Sequence, residues 1–210
     1  MIRILRGLGL CGFLALAVAT GCPAQSGSLY VGFGTATDPS IGTVNTLNGG
    51  VVYNAPSLDG LFDTVGGDVI FFRNLGLGAE YTFRNSRGPY AGLQYHPVFY
   101  DVNAVYQPLG SSRRFAPELQ GGIGRAAFRF YYTPQFCNSY PLGCRSNTAQ
   151  ATETNHLEVH FAGGVRYYVY KDVFVRPQVD ARWVRDLSYF SNSWIPEFTV
   201  AVGYTFRRKK

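Results

Sequence analysis

His156, Glu158 and His160 alternate along one short stretch and carry the side-chain types of a metal centre. Their spacing argues against one. Residues four apart on an extended chain lie ~13 Å apart, at ~3.3 Å per residue. Two imidazoles so separated do not share an ion held at about 2 Å, and no metal site is expected. Ser188, Ser191 and Ser193 are candidate nucleophiles, but a nucleophilic serine needs a base beside it, and no histidine lies near them in sequence. Phosphate-binding glycine loops, dinucleotide fingerprints and zinc-protease motifs are absent from the sequence. No catalytic residue, enzyme activity or cofactor is therefore expected. Cys137 and Cys144 bracket a short segment. With no further Cys or His nearby they make only half a zinc shell, and in an exported chain such a pair suggests a disulfide.

The other chemistry-bearing residues are charges, and they fall on alternate positions. Near the C-terminus Phe198, Val200, Val202, Tyr204 and Phe206 oppose Glu197, Thr199, Ala201, Gly203 and Thr205. Val173, Val175, Val179, Ala181 and Trp183 oppose Arg176, Gln178, Asp180 and Arg182. Leu157, Val159, Phe161, Val165 and Tyr167 oppose His156, Glu158, His160, Gly164 and Arg166. Period-two alternation of this kind marks strands with two unlike faces. Comparable runs begin at Leu29, Val65, Leu75 and Val98. The run from Phe115 to Tyr132 slips in phase between Gly124 and Ala126, which predicts a β-bulge; Pro177, inside the seventh run, predicts another. The total is eight strands.

The connections read as residues 37–60, 73–74, 85–96, 108–113, 133–155, 170–172 and 187–194, alternately long and short. A barrel of hairpins with its long loops at one end has that rhythm, and strands of about ten residues suit a tilted membrane crossing. Ahead of them, Arg3 and Arg6 precede an apolar run from Leu8 to Ala19 and the small residues Thr20–Ala24. This is the pattern of a signal peptide over residues 1–24. A lipoprotein cut before Cys22 is the rival processing, though the usual leucine before the cysteine is missing. Residues 25–210 then form the barrel domain.

The resemblance that follows is to the small outer-membrane β-barrels of Gram-negative bacteria, the OmpA/OmpW-like group. It is carried by Leu29–Gly34, by the run at residues 78–81, and by Val202–Phe206. It implies an all-β, antiparallel, up-and-down transmembrane barrel of eight strands, located in the outer membrane and monomeric. It also implies that Phe198, Val200, Val202, Tyr204 and Phe206 form the signal read by the barrel-assembly machinery, although Arg207–Lys210 follow that signal here. Lipids and lipopolysaccharide would be its surroundings, and a structural or narrow porin-like role its function. The alternatives are a conduit for small apolar molecules, or an adhesin acting through the long loops.

Alternation alone does not say which face is inside. A secreted lipocalin-like barrel turns its apolar face inward around a ligand. Here the polar face is dense in glycine (Gly32, Gly34, Gly76, Gly78, Gly122, Gly164, Gly203), as a narrow lumen crossed by long side chains requires. The lumen is then expected to hold Asp68, Glu80, Arg84, Asp101, Glu118, Arg129, Glu158, Arg166, Arg176, Asp180, Arg182 and Glu197, paired as a salt-bridge network. The net charge of +6 at first suggests nucleic acid. Without residues 1–24 the balance is 17 bases to 13 acids, and without Arg207–Lys210 it is 13 to 13. No nucleic-acid partner is expected.

Overall fold

The computed structural model describes residues 26–37, 44–47, 51–54, 56–72, 74–90, 92–110, 114–133, 135–139, 142–146, 148–187 and 193–207. The expected signal peptide with Cys22, the loop serines Ser188 and Ser191, and residues 208–210 lie outside the described residues. The long strands are β1 (Ser26–Ala36), β2 (Gly60–Phe72), β3 (Leu75–Arg84), β4 (Leu93–Tyr106), β5 (Phe115–Tyr132), β6 (Ala149–Tyr170), β7 (Val173–Val184) and β8 (Trp194–Arg207). Each pairs antiparallel with its neighbours in sequence. β1 pairs with β8, Ser26 opposite Arg207 and Ala36 opposite Glu197, and this closes the ring. A closed ring leaves no strand edge unpaired.

The alternation sorts cleanly once the ring closes. Val31 is 60% exposed and Ile123 66%, and Phe33, Leu77, Val179 and Phe198 also point outward. Arg166 and Arg182 are 0% exposed. The apolar face is therefore outside and the polar face inside, the reverse of a soluble ligand-binding barrel. Among the described residues no helix is long and apolar enough to cross a membrane. Trp183 and Trp194 stand opposite each other near one end of the β7–β8 ladder, where amphipathic rings suit a membrane interface.

The β5–β6 hairpin outruns the neighbouring strand. β6 pairs with β5 from Ala149 onward, but with β7 only from Glu158. The hairpin thus projects past its neighbour on the side of the long connections. Short ladders lie within those connections: Val44–Leu47 with Val51–Asn54, Gln135–Ser139 with Leu142–Ser146, and Gly88–Tyr90 folded back on the start of β4.

Neither expected bulge is present. Pairing of β5 with both neighbours runs unbroken through Gly124, Arg125 and Ala126. The slip belongs to the lining, which changes from polar residues to Ala126, Phe128 and Phe130, all buried. Register shifts occur instead at Ile70/Phe72, Gln150/Thr152 and Tyr168/Tyr170. At Pro177 the β6–β7 ladder keeps one register from Gly164–Gln178 to Tyr167–Val175 and omits the pairs between. Proline has no N–H to give, so the ladder has a gap without a bulge.

Candidate functional site: the charged lumen

The lumen is built in layers, because successive inward positions climb each strand in steps of two. In the layer nearest the short turns, Arg166 of β6 reaches across to Asp68 of β2, with Nη2 2.6 Å and Nη1 3.4 Å from its two oxygens. The same guanidinium pairs with Glu118 and donates to Ser28 Oγ at 2.7 Å. Tyr30, Ala116, Tyr168, Phe174 and Ala201 pack as an apolar cluster at this end. Arg207 lies over the Tyr168 ring at 4.8 Å and pairs with Asp172 at 3.1 Å.

The middle layer centres on Arg176. It meets Glu118 at 3.1 Å and Glu80 at 3.2 Å, and stacks on the Tyr30 ring at 3.8 Å. Tyr30 donates its hydroxyl to Glu80 at 3.0 Å. Gln107 and Gln120 donate to the two oxygens of Glu118, at 2.7 and 2.8 Å. Glycine makes this crowding possible: a Cβ on Gly66 would strike the Tyr30 ring, and one on Gly203 the Phe174 ring.

The third layer gathers four carboxylates around Arg182. Glu158 lies at 2.5 Å, Asp101 at 2.8 Å, Glu197 at 3.0 Å and Glu80 at 3.2 Å. Beside it His160 Nε2 faces Asp180 at 2.8 Å, and Nδ1 faces Asn103 at 3.1 Å and Asp101 at 3.3 Å. Asp180 also accepts from Gln178 at 2.6 Å and Thr199 at 3.3 Å. Buried charges persist only when paired and hydrogen-bonded, and these layers meet that condition for most of their atoms.

Above the charges the lumen is apolar. Phe62, Phe99, Phe128, Val184 and Ile195 belong to one buried cluster. Arg182 lies 5.1 Å from the Phe99 ring, so the plug rests directly on the network. Tyr95 and Leu58 continue the cluster towards the long loops. There Arg84 donates to the Tyr95 hydroxyl at 3.0 Å and to the Ser57 carbonyl at 3.2 Å, and Tyr95 in turn donates to the same carbonyl.

Ten of the twelve charges expected in the lumen meet in these layers: Asp68, Glu80, Asp101, Glu118, Glu158, Arg166, Arg176, Asp180, Arg182 and Glu197. Two do not. Arg84 points inward but sits at the rim, above the plug. Arg129 is on the outer face of the projecting hairpin, half-exposed and 3.4 Å from Glu153; the assumed bulge had placed it on the wrong side. His156 is half-buried and bonded to the Arg185 carbonyl at 3.1 Å, apart from the fully buried His160. Sequence reasoning missed the plug because it assigned large aromatics to the outside. The parity was available: Phe99 is in step with Asp101, and Phe128 with Glu118. In the loop ladder Cys137 stands directly opposite Cys144.

The outer wall carries a shallow groove of about 370 Å³, lined by Pro117, Leu119, Gly163, Gly164, Val165 and Pro177 among others. Val165 lies in register with Pro117, and the ladder gap at Pro177 is on its other side. Glu118 and Gln178 also line this groove, so the wall between lipid face and lumen is thin there.

The fold recurs among bacterial outer-membrane barrels. The chain is similar to the N-terminal β-barrel domain of Pseudomonas aeruginosa OprF, at 11% identity and a TM-score of 0.52, over 87% of this chain and 98% of that one. Neisserial surface protein A gives 11% identity and a TM-score of 0.54, over 86% and 97%. A major outer membrane protein from Thermus thermophilus gives 13% identity and a TM-score of 0.54, over 86% and 99%. At such identities the likeness establishes architecture: an all-β antiparallel barrel of eight strands. No protein-family model and no curated protein sequence matches the chain.

Proposed function

We propose that this protein is an exported outer-membrane barrel whose role is structural and non-conducting. The observation that carries this reading is the closure of the lumen in depth. Three salt-bridged layers fill it, one aromatic cluster caps the side of the long loops and another the side of the turns. Eight strands enclose a space that side chains can fill, and here they do. The apolar outer face supports contact with lipid, and residues 1–24 would direct export. Phe198–Phe206 would present the assembly signal, and the closed ring would leave the chain monomeric. Cys137 and Cys144 would form a disulfide that pins the loop ladder.

Reconstitution into planar bilayers tests the role. Correctly folded protein, identified by its faster migration when unboiled, should give no step conductance. Reproducible steps in wild type that change in size on Arg176→Ala would overturn the structural reading in favour of a gated path.

A second reading, a lateral conduit for small apolar molecules, is supported by the groove at Pro117 and Pro177. Its lining is almost wholly apolar, and Pro177 denies β6 a donor at that height. Pro177→Val restores the donor and is the variant in which such a conduit would narrow.

A further inference from the structure

Seven carboxylates occupy the lumen, all buried. Three guanidiniums and the imidazole of His160 face them. Among the described residues this leaves three negative charges unmatched even when the imidazole is protonated. Charge of that size is not tolerated away from bulk water without further cations or protons.

The shortfall is concentrated in the third layer. Two like-charged pairs stand directly opposite in the ladders there, Glu80 with Asp101 and Asp180 with Glu197. Like charges so placed destabilise a sheet. Glu197 Oε1 is also buried with no hydrogen-bond partner, on the same inward face as Asp180. His160, Asp180 and Glu80 each present a ligand atom, all within 4.8 Å of one another.

We propose that this pole binds one divalent transition-metal cation of the Zn²⁺ type. His160 Nε2, Asp180 and Glu80 are its ligands, and Glu197 supplies the fourth ligand atom, an oxygen. A tetrahedral ion with bonds of about 2.0–2.1 Å sets its ligand atoms about 3.3 Å apart. The present spacings, from 2.8 Å for His160–Asp180 up to 4.8 Å, bracket that value. The surrounding bonds are those of a prepared site. A ligating histidine usually gives its other N–H to a carboxylate or carbonyl, and His160 Nδ1 faces Asp101 and Asn103. The ligating carboxylate is fixed too, by Gln178 and Thr199. Arg176 and Arg182 both touch Glu80 and oppose the ion, but each is also held by other carboxylates. The ion takes the place of the proton that Nε2 otherwise donates to Asp180. That proton leaves to solvent, and the shortfall drops from three charges to two.

The site lies beneath the aromatic plug, so the ion should enter as the barrel folds. The test uses untagged chain refolded from urea into detergent with ZnCl₂, desalted, and assayed for metal. It depends on the filled lumen and not on the conductance result, and folding is read separately from the unboiled gel shift. Folded wild type should retain about one zinc per chain, and far less when zinc is added only after folding. Asp101→Asn, which disturbs the second nitrogen of His160, should weaken binding by about 10–100-fold. His160→Gln should abolish it, and Glu153→Gln, outside the lumen, should have no effect. Refolding with Co²⁺ should give a visible absorption band in wild type that is lost in His160→Gln. Where one of the other ligand variants fails to fold, Glu197→Gln takes its place: Arg182 is the residue that hydrogen-bonds Glu197 in the lumen, and the loss of the carboxylate charge should make the ion bind more weakly. The proposal fails if folded wild type retains no metal above the detergent blank, or if His160→Gln retains as much as wild type. Protons then supply the missing charge.

Discussion

Replacing Arg182 with Met keeps an unbranched apolar stem and removes the guanidinium with its charge. Two of its four carboxylates retain other partners: Glu80 keeps Arg176 and Tyr30, and Asp101 keeps His160 and Asn103. Glu158 and Glu197 keep no donor among the described residues, since each is bonded only to Arg182. Stranding one buried charge costs roughly 3–5 kcal/mol. Proton uptake limits the cost. Protonating an ordinary glutamate at pH 7 takes about 3.7 kcal/mol, at about 1.36 kcal/mol per pH unit above its reference value of about 4.3. The expected loss at pH 7 is therefore about 4–7 kcal/mol, much of the total stability of an ordinary domain. At pH 5 the same protonation takes about 1 kcal/mol per group, so the loss relative to wild type should fall to about 2 kcal/mol. The sign follows from linkage: the folded variant holds protons that the unfolded chain releases, so the variant loses stability as pH rises. Urea titration in lipid vesicles, followed by the fluorescence of Trp183 and Trp194, gives the midpoints at both pH values. Adding Glu158→Gln and Glu197→Gln to Arg182→Met should recover most of the loss at pH 7. A variant within about 1 kcal/mol of wild type at pH 7, or a deficit that does not shrink at pH 5, refutes the claim that these carboxylates are shut off from water.

Two further outcomes follow from the packing and the loops. Gly203→Val drives its side chain into the Phe174 ring on the neighbouring strand; overpacking of this kind costs about 1–3 kcal/mol. The unfolding free energy from urea titration should fall by that amount, and Phe174→Leu in the same chain should restore part of it; an unchanged midpoint would mean the lumen is looser than the glycine contacts imply. For Cys137 and Cys144, chain isolated from membranes should take up no iodoacetamide at either residue until reduced, read by mass after proteolysis. Alkylation of both without reductant removes the disulfide.

Eight strands and their order were legible because β-periodicity survives in single residues. Leu29, Val31 and Phe33 against Tyr30, Gly32 and Gly34 already state two faces. The inside was legible from a second, independent pattern, glycines in step with charges. What was not legible is where that pattern stops. Hydrophobicity reports an environment, and parity reports a direction. The two agree only while the lumen is polar. At Phe99, Phe128 and Ile195 the lumen turns apolar, parity continues, and hydrophobicity reads as a phase slip. The same confusion put Arg129 inside: once a bulge is assumed at Gly124, every later residue of β5 is counted on the wrong face.

The plug also explains why a charged lumen does not imply a pore. Ions follow charges only if water accompanies them, and here an apolar cluster that includes Phe62, Phe99 and Phe128 is seated on Arg182 across that path. The same cluster strengthens the pairs beneath it by lowering the local dielectric, and it raises the cost of leaving any one of them unmet. A network under such a cap has to be complete or compensated. In this barrel Arg166 and Arg176 have carboxylates to share, and the surplus of acid collects around His160, Asp180 and Glu197. That surplus is the point at which a purely structural lumen acquires a chemical requirement, and it is there that a cation, whether metal or proton, has to enter the fold.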